Sequence, residues 1–254
     1  MARSLLKCLR MDVSLYSAAA AMNATERWQD LVAENLSTAG VPGARQRQIS
    51  FSAVQAGLVG ANGDKFVIPS ASSTTNFSQG ELRATGNPMD VALQGPGFMT
   101  VQLPDGSKAY TRDGEFTFNA QNQLVTKQGY PVAGDSGPLT FDPNNRAPIS
   151  ISASGEVSQG ADIKGKLSIA EFRKPQTLTP LGNGLFRNDD PNVQPQASST
   201  TRVCQGFSEA ANTSPTLAMA SLITSMRMFE TNQKVMLMQS DRMSKSISEL
   251  SGTN

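Results

Sequence analysis

From Met219 the chain repeats apolar residues in alternating steps of three and four: Met219, Leu222, Met226, Phe229, Gln233, Met236, Ser240, Met243, Ile247 and Leu250. Only Gln233 and Ser240 are polar. This spacing holds one stripe on one side of an α-helix and predicts a long C-terminal helix. In "NTSP" before it, Thr213 or Ser214 can cap and Pro215 suits the first turn, so the helix is placed at 213–254. A weaker row near the other end follows the same rule: Met11, Leu15, Ala18, Met22, Thr25, Gln29, Val32 and Leu36. No Gly or Pro interrupts it, which predicts a helix over 11–39, stopped by Gly40 and Pro42 in "AGVPG".

Between the helices the period changes. Residues 40–85 hold one short strand signal in "QISFSAVQAG", then a Ser- and Thr-rich run without helical period, and read as an extended arm. Residues 86–190 alternate apolar and polar positions, as in Met89, Val91 and Leu93 of "MDVALQG". "PDG" between "GFMTVQL" and "SKAYTR" signals a hairpin, and "ISISASGEVSQG" a second around Ser154-Gly155. Short strands with Gly turns predict a compact β-rich outer domain over 86–190, followed by a polar, Pro-rich return arm over 191–212. The predicted fold class is therefore α+β: long N- and C-terminal helices forming a coiled-coil stem, with a central all-β domain. Two helices alone leave flanks open, and Leu237 and Met238 lie off the C-terminal row. Met226, Met228, Met236, Met238 and Met243 add soft, adaptable surface. The pair is expected to pack on copies of itself, and head-to-tail contacts that do not close build a helical filament or tube.

Composition narrows the chemistry. The 254 residues contain no His, which removes the usual general base near neutral pH and the commonest metal ligand. Two cysteines, Cys8 and Cys204, make neither a disulfide framework nor a structural zinc site. A net charge of +1 gives no global field toward nucleic acid or membrane. "GPG" at 95–97 is not followed by the Lys-Ser/Thr of a phosphate loop. Asp105, Asp113, Asp189 and Asp190 fall outside any calcium-loop pattern and read as turn residues. No cofactor and no catalytic residue is predicted. Arg3, Lys7 and Arg10 precede a weakly apolar stretch broken by Asp12, so no cleaved signal peptide is expected. Residues 1–10 read as an optional extension, with Met11 an alternative start.

Three separated blocks carry a family resemblance. "LVAENLSTAGVPGARQ" spans Leu31–Gln46. "NPMDVALQGPGFMTVQLPDGSKAYTRDGEFTFNAQNQLVTKQGYPVAG" spans Asn87–Gly134. "ANTSPTLAMASLITSMRMFETNQKVM" spans Ala211–Met236 and includes Arg227, Phe229, Glu230, Asn232 and Lys234. In this order they resemble the flagellar basal-body rod protein family, the proximal-rod FlgF type first and the distal-rod FlgG type second. The resemblance implies a structural subunit exported by the flagellar type III apparatus, with its termini unfolded and no cleaved signal peptide. It implies assembly with copies of itself and other rod and hook axial proteins in the periplasmic rod. The terminal helices would line the inner tube, and the β domain would sit outside.

The residues assigned to the assembly interface are Leu15, Met22, Val32, Asn35 and Leu36 in the first helix. In the last helix they are Met219, Leu222, Met226, Arg227, Phe229, Glu230, Asn232, Gln233, Met236, Met243, Ile247 and Leu250. For Asn35, an inter-subunit hydrogen bond and an ordinary helix-end role are both open. Arg227 and Glu230 are spaced as a helical ion pair worth roughly 0.2–0.5 kcal/mol. Two other functions stand beside the rod reading. A secreted coiled-coil adhesin or binding module would explain the helical rows but not the three ordered blocks. A β-rich hydrolase would need paired carboxylates in one cleft.

Overall fold

The computed structural model describes residues 2–59, 65–198 and 200–251. They divide into two compact units. The first gathers the described parts of Met1–Leu36, Arg47–Thr74 and Pro215–Asn254; the second holds Ser37–Gln46 and Thr75–Ser214.

The first unit contains two helices and a β-ribbon. Helix α1 covers Ala2–Thr38 and helix α2 covers Pro215–Ser251, with Pro215 at a position where its missing N–H costs nothing. Strands Arg47–Val59 and Lys65–Thr75 pair into a two-stranded sheet within the stretch expected to be extended. Helix α1 has two buried sides. One carries Ala18, Thr25 and Val32, with Leu15, Met22, Gln29 and Leu36 half-buried beside them. The other carries Ala24, Leu31 and Asn35. Here Trp28 meets the ribbon's Phe51 edge-on at 5.9 Å.

The coiled-coil stem is corrected by this unit. In α2 the inward row is Ala218, Leu222, Ser225, Phe229, Asn232, Met236, Gln239, Met243 and Ser246. Alternate members of the predicted stripe belong to it, namely Leu222, Phe229, Met236 and Met243. The others, Met219, Met226, Gln233, Ser240 and Ile247, turn outward, and Met226 is 50% exposed. Small and polar residues take their place. Ser225 is fully buried, with its hydroxyl on the Leu222 carbonyl at 2.8 Å. The helices run antiparallel and touch through polar groups: Asn232 Nδ2 donates to Thr25 Oγ1 at 2.9 Å, and Gln29 Nε2 to the Ser225 carbonyl at 3.3 Å. A coiled coil needs apolar knobs at both alternating positions of the seam. Here one of the two is polar or small, and α1 divides its burial between α2 and the ribbon.

The second unit is β-rich. Its largest sheet has six strands, in the order Leu178–Gly182, Leu185–Asn188, Lys108–Thr111, Phe98–Gln102, Ile169–Glu171 and Gln196–Ala197. Every neighbouring pair is antiparallel. The hairpin predicted at "PDG" is present, with Gln102 opposite Lys108, and so is the one at Ser154-Gly155, with Ile151 opposite Val157. Alternation puts Val91, Leu93, Met99, Val101, Val132, Val157 and Leu167 into one core. Phe98, Tyr110, Phe172, Leu178 and Phe186 form a second, aromatic core. Each such side chain contributes roughly 1.5–3 kcal/mol when fully buried.

Candidate functional site

Two asparagine amides act as backbone clamps, one in each unit. In the first unit Asn35 accepts from Arg47 N–H through Oδ1 at 2.8 Å and donates through Nδ2 to the Arg47 carbonyl at 2.8 Å. It copies the pairing of a neighbouring strand, which explains an amide at this position. The Arg47 side chain returns to Glu34 at 2.7 Å. The hydrogen bonds shown for Asn35 are thus within its own chain. In the second unit Asn212 accepts from Gln46 N–H at 2.6 Å and donates to the carbonyls of Asn76 and Ser78, each at 2.9 Å.

Next to Asn212 lies a buried ion cluster. Glu209 receives Arg45 Nη2 at 2.7 Å and Arg112 Nη1 at 3.3 Å, and all three side chains are shielded from solvent. Gly80 N–H completes the carboxylate at 2.8 Å. Arg112 also donates to the Gly95 carbonyl at 2.6 Å and lies over the Phe98 ring at 4.9 Å. Burial pushes the Arg112 guanidinium down to about 10, opposed by the Glu209 carboxylate. Gly43, at φ +67°, backs directly onto the Arg112 carbonyl, where a Cβ would stand 2.3 Å from the carbonyl carbon. Only glycine meets both demands. Sequence reading missed this cluster, because neither the spacing nor the residue types of Arg45, Arg112 and Glu209 mark them as neighbours.

The residues assigned to an assembly interface fall into two groups. Val32 and Asn35 are buried, and Leu15, Met22, Leu36, Leu222, Phe229, Asn232, Met236 and Met243 are half-buried within the first unit. Met219, Met226, Arg227, Glu230, Gln233 and Ile247 are exposed. The side chain of Leu250 lies outside those described. Further exposed apolar side chains on α2 join the second group: Leu217, Ile223, Met228, Leu237 and Met238. Leu237 is 65% exposed. A surface helix with one apolar stripe turned to its core does not display such a second set. The first unit also has a groove of about 580 Å³ between α1 and the ribbon, lined by Tyr16, Ala20, Asn23, Val54 and Pro69 among others.

Among the described residues no group of three or more acidic, Cys or His side chains is placed to hold a metal ion. No described helix is long and apolar enough to cross a membrane.

Comparison with known proteins matches two stretches of this architecture. Residues 92–159, in the β-rich unit, match the flagellar hook protein FlgE/F/G D1 domain. Residues 205–250, covering Glu209, Asn212 and most of α2, match the flagellar basal body rod FlgEFG protein C-terminal model. The flagellar basal-body rod protein FlgF of Caulobacter vibrioides is 34% identical over 231 residues, 89% of this chain and 93% of that protein. The FlgF of Salmonella typhimurium is 31% identical, over 89% of this chain and 93% of its own length. The FlgG of Borreliella burgdorferi is 30% identical, over 91% and 95%. With similarity of this extent running through both units, the chain belongs to the flagellar basal-body rod protein family.

Proposed function

We propose that this chain is a structural subunit of the flagellar basal-body rod, of the FlgF type, and that it assembles through the outward apolar side of α2. Family membership gives the rod, the basal body and the company of other flagellar axial proteins. Self-association, a non-catalytic role and delivery by the flagellar export apparatus without a cleaved signal peptide are parts of the proposal. The observation that carries it is the outward set Leu217, Met219, Ile223, Met226, Met228, Leu237, Met238 and Ile247. Its burial against neighbouring subunits would add roughly 1.5–3 kcal/mol per fully covered side chain. The four methionines let one helix adapt to non-identical neighbours, which a junction between different axial proteins requires.

The test is complementation of a strain lacking the gene. The wild-type gene should restore swimming and complete rods in isolated basal bodies. The double variant Met226→Lys and Leu237→Lys should be made, should keep its helical signal, and should leave rods truncated. Complete rods and normal swimming with the variant would remove α2 from the interface. Complete rods in the deletion strain itself would remove the rod role.

A further inference from the structure

The second unit is joined late in the chain by a short segment, residues 207–212, and almost everything this segment holds comes from much earlier. Strand Phe207–Glu209 pairs with Leu82–Ala84. The Glu209 carbonyl accepts from Gly43 N–H at 2.7 Å, and Ala210 N–H donates to Glu81 at 2.9 Å. The Glu209 carboxylate takes Arg45, Arg112 and Gly80 N–H. Asn212 takes Gln46, Asn76 and Ser78. Gly80 lies so close that a Cβ there would come within 2.0 Å of the Ala210 carbonyl oxygen. The arm formed by residues 43–46 and 76–86 is therefore held onto the β body in large part through 207–212.

The charges give this attachment a threshold. Two guanidiniums share one carboxylate, and Arg45 Nε and Nη1 and Arg112 Nε have no hydrogen-bond partner. With Glu209 in place the buried cluster is one negative charge short. Without it, two like charges would face each other away from water, which a folded interior does not tolerate. The arm and both arginines precede Glu209 in the chain, so a chain synthesised from its N-terminus lacks the counter-charge until Glu209 is added. We propose that residues 207–212 are a closing strap: the arm stays open until Glu209 pairs with both Arg45 and Arg112 and Asn212 clamps the two arm segments. The strap runs on through Thr213 and Ser214 into Pro215 of α2, so closure of the arm registers that the chain is present as far as Asn212.

This inference is independent of the assembly proposal and is tested on the full-length chain by amide hydrogen exchange. Glu209→Gln keeps the size and one acceptor but removes the charge. It should speed exchange at Gly43, Gly80 and Leu82–Ala84 by about tenfold to a hundredfold through local opening. The amides of Thr100, Val101 and Ala109 in the central hairpin should keep their protection. Asn212→Ala, which leaves the ion cluster intact, should loosen the same arm by about tenfold. If Glu209→Gln does not fold, Asn212→Ala decides alone. Arm-selective loosening supports the strap. Equal loosening of arm and hairpin, or no change at the arm, overturns it.

Discussion

Asp113 is a carboxylate whose ionisation works against the fold. It is buried in the turn between Thr111 and Glu115, and its carboxylate accepts the Glu115 backbone N–H at 3.1 Å. Burial raises its pKa to about 6; the nearby Glu115 and Asp90 carboxylates add to this, and Lys127 opposes it. The unfolded chain releases this proton at a lower pH than the folded chain. Between roughly pH 4 and 6 the folded state binds more protons, so this group's contribution falls as pH rises and is least favourable above about 6. Asp113→Asn preserves the acceptor and removes the charge. It should raise stability at pH 7.5 by about 2 kcal/mol and give no gain at pH 4. Denaturant unfolding of both proteins at the two pH values checks this, and an equal gain at both would show that charge is not the cause. Nothing in "TRDGEF" marks Asp113 as buried; read alone it is a turn aspartate. Its burial follows from Gly114, whose missing side chain lets the turn settle on the Val91 carbonyl.

At the scale of the element, α2 shows how far an apolar pattern carries. A rule that selects apolar positions found Leu222, Phe229, Met236 and Met243, and these do face inward. It could not choose Ala218, Ser225 and Asn232 over Met219, Met226 and Gln233, because the inward positions are set by close approach and hydrogen bonding to α1. Polar small residues allow two helices to come near; large apolar residues on the neighbouring row then remain for other partners. The β hairpins were legible because turn chemistry and alternation are local. The strap was not, since its ion pairs alone span 97 and 164 residues. Two substitutions separate the rows of α2. Ser225→Leu puts a large side chain where the exposure is 0% and should destabilise the helix pair by about 1–3 kcal/mol. Met226→Gln, one residue on, should change monomer stability by less than about 0.5 kcal/mol. Thermal melts followed by far-ultraviolet circular dichroism at low protein concentration compare them. Equal effects would return Met226 to the inward row.

For the whole molecule, the two units differ in how well they can stand alone. The buried apolar residues described in the first unit are Ala18, Ala24, Leu31, Val32 and Ala218, and three of the five are alanines with one methyl each to hide. The second unit buries two separate clusters of Val, Leu, Ile, Met and aromatic side chains. Ordering the backbone costs about 1–2 kcal/mol per residue, and a thin alanine core offsets little of that over two helices and a ribbon. The first unit should therefore depend on association for much of its stability, while the second folds on its own apolar content. Fluorescence can tell them apart, because the single tryptophan, Trp28, lies in the first unit and packs on Phe51. Tyr110 and Tyr130 lie in the second, and Tyr16, the one tyrosine of the first, is replaced by Phe for the measurement. On heating dilute protein, the Trp28 signal should change at a lower temperature than the near-ultraviolet tyrosine bands. Raising the protein concentration should move the Trp28 transition upward and leave the tyrosine transition in place, since association stabilises only the unit whose surface it covers. Coincident transitions at every concentration would mean one cooperative fold. The exposed side of α2 would then be a surface the monomer carries without needing a partner for its stability.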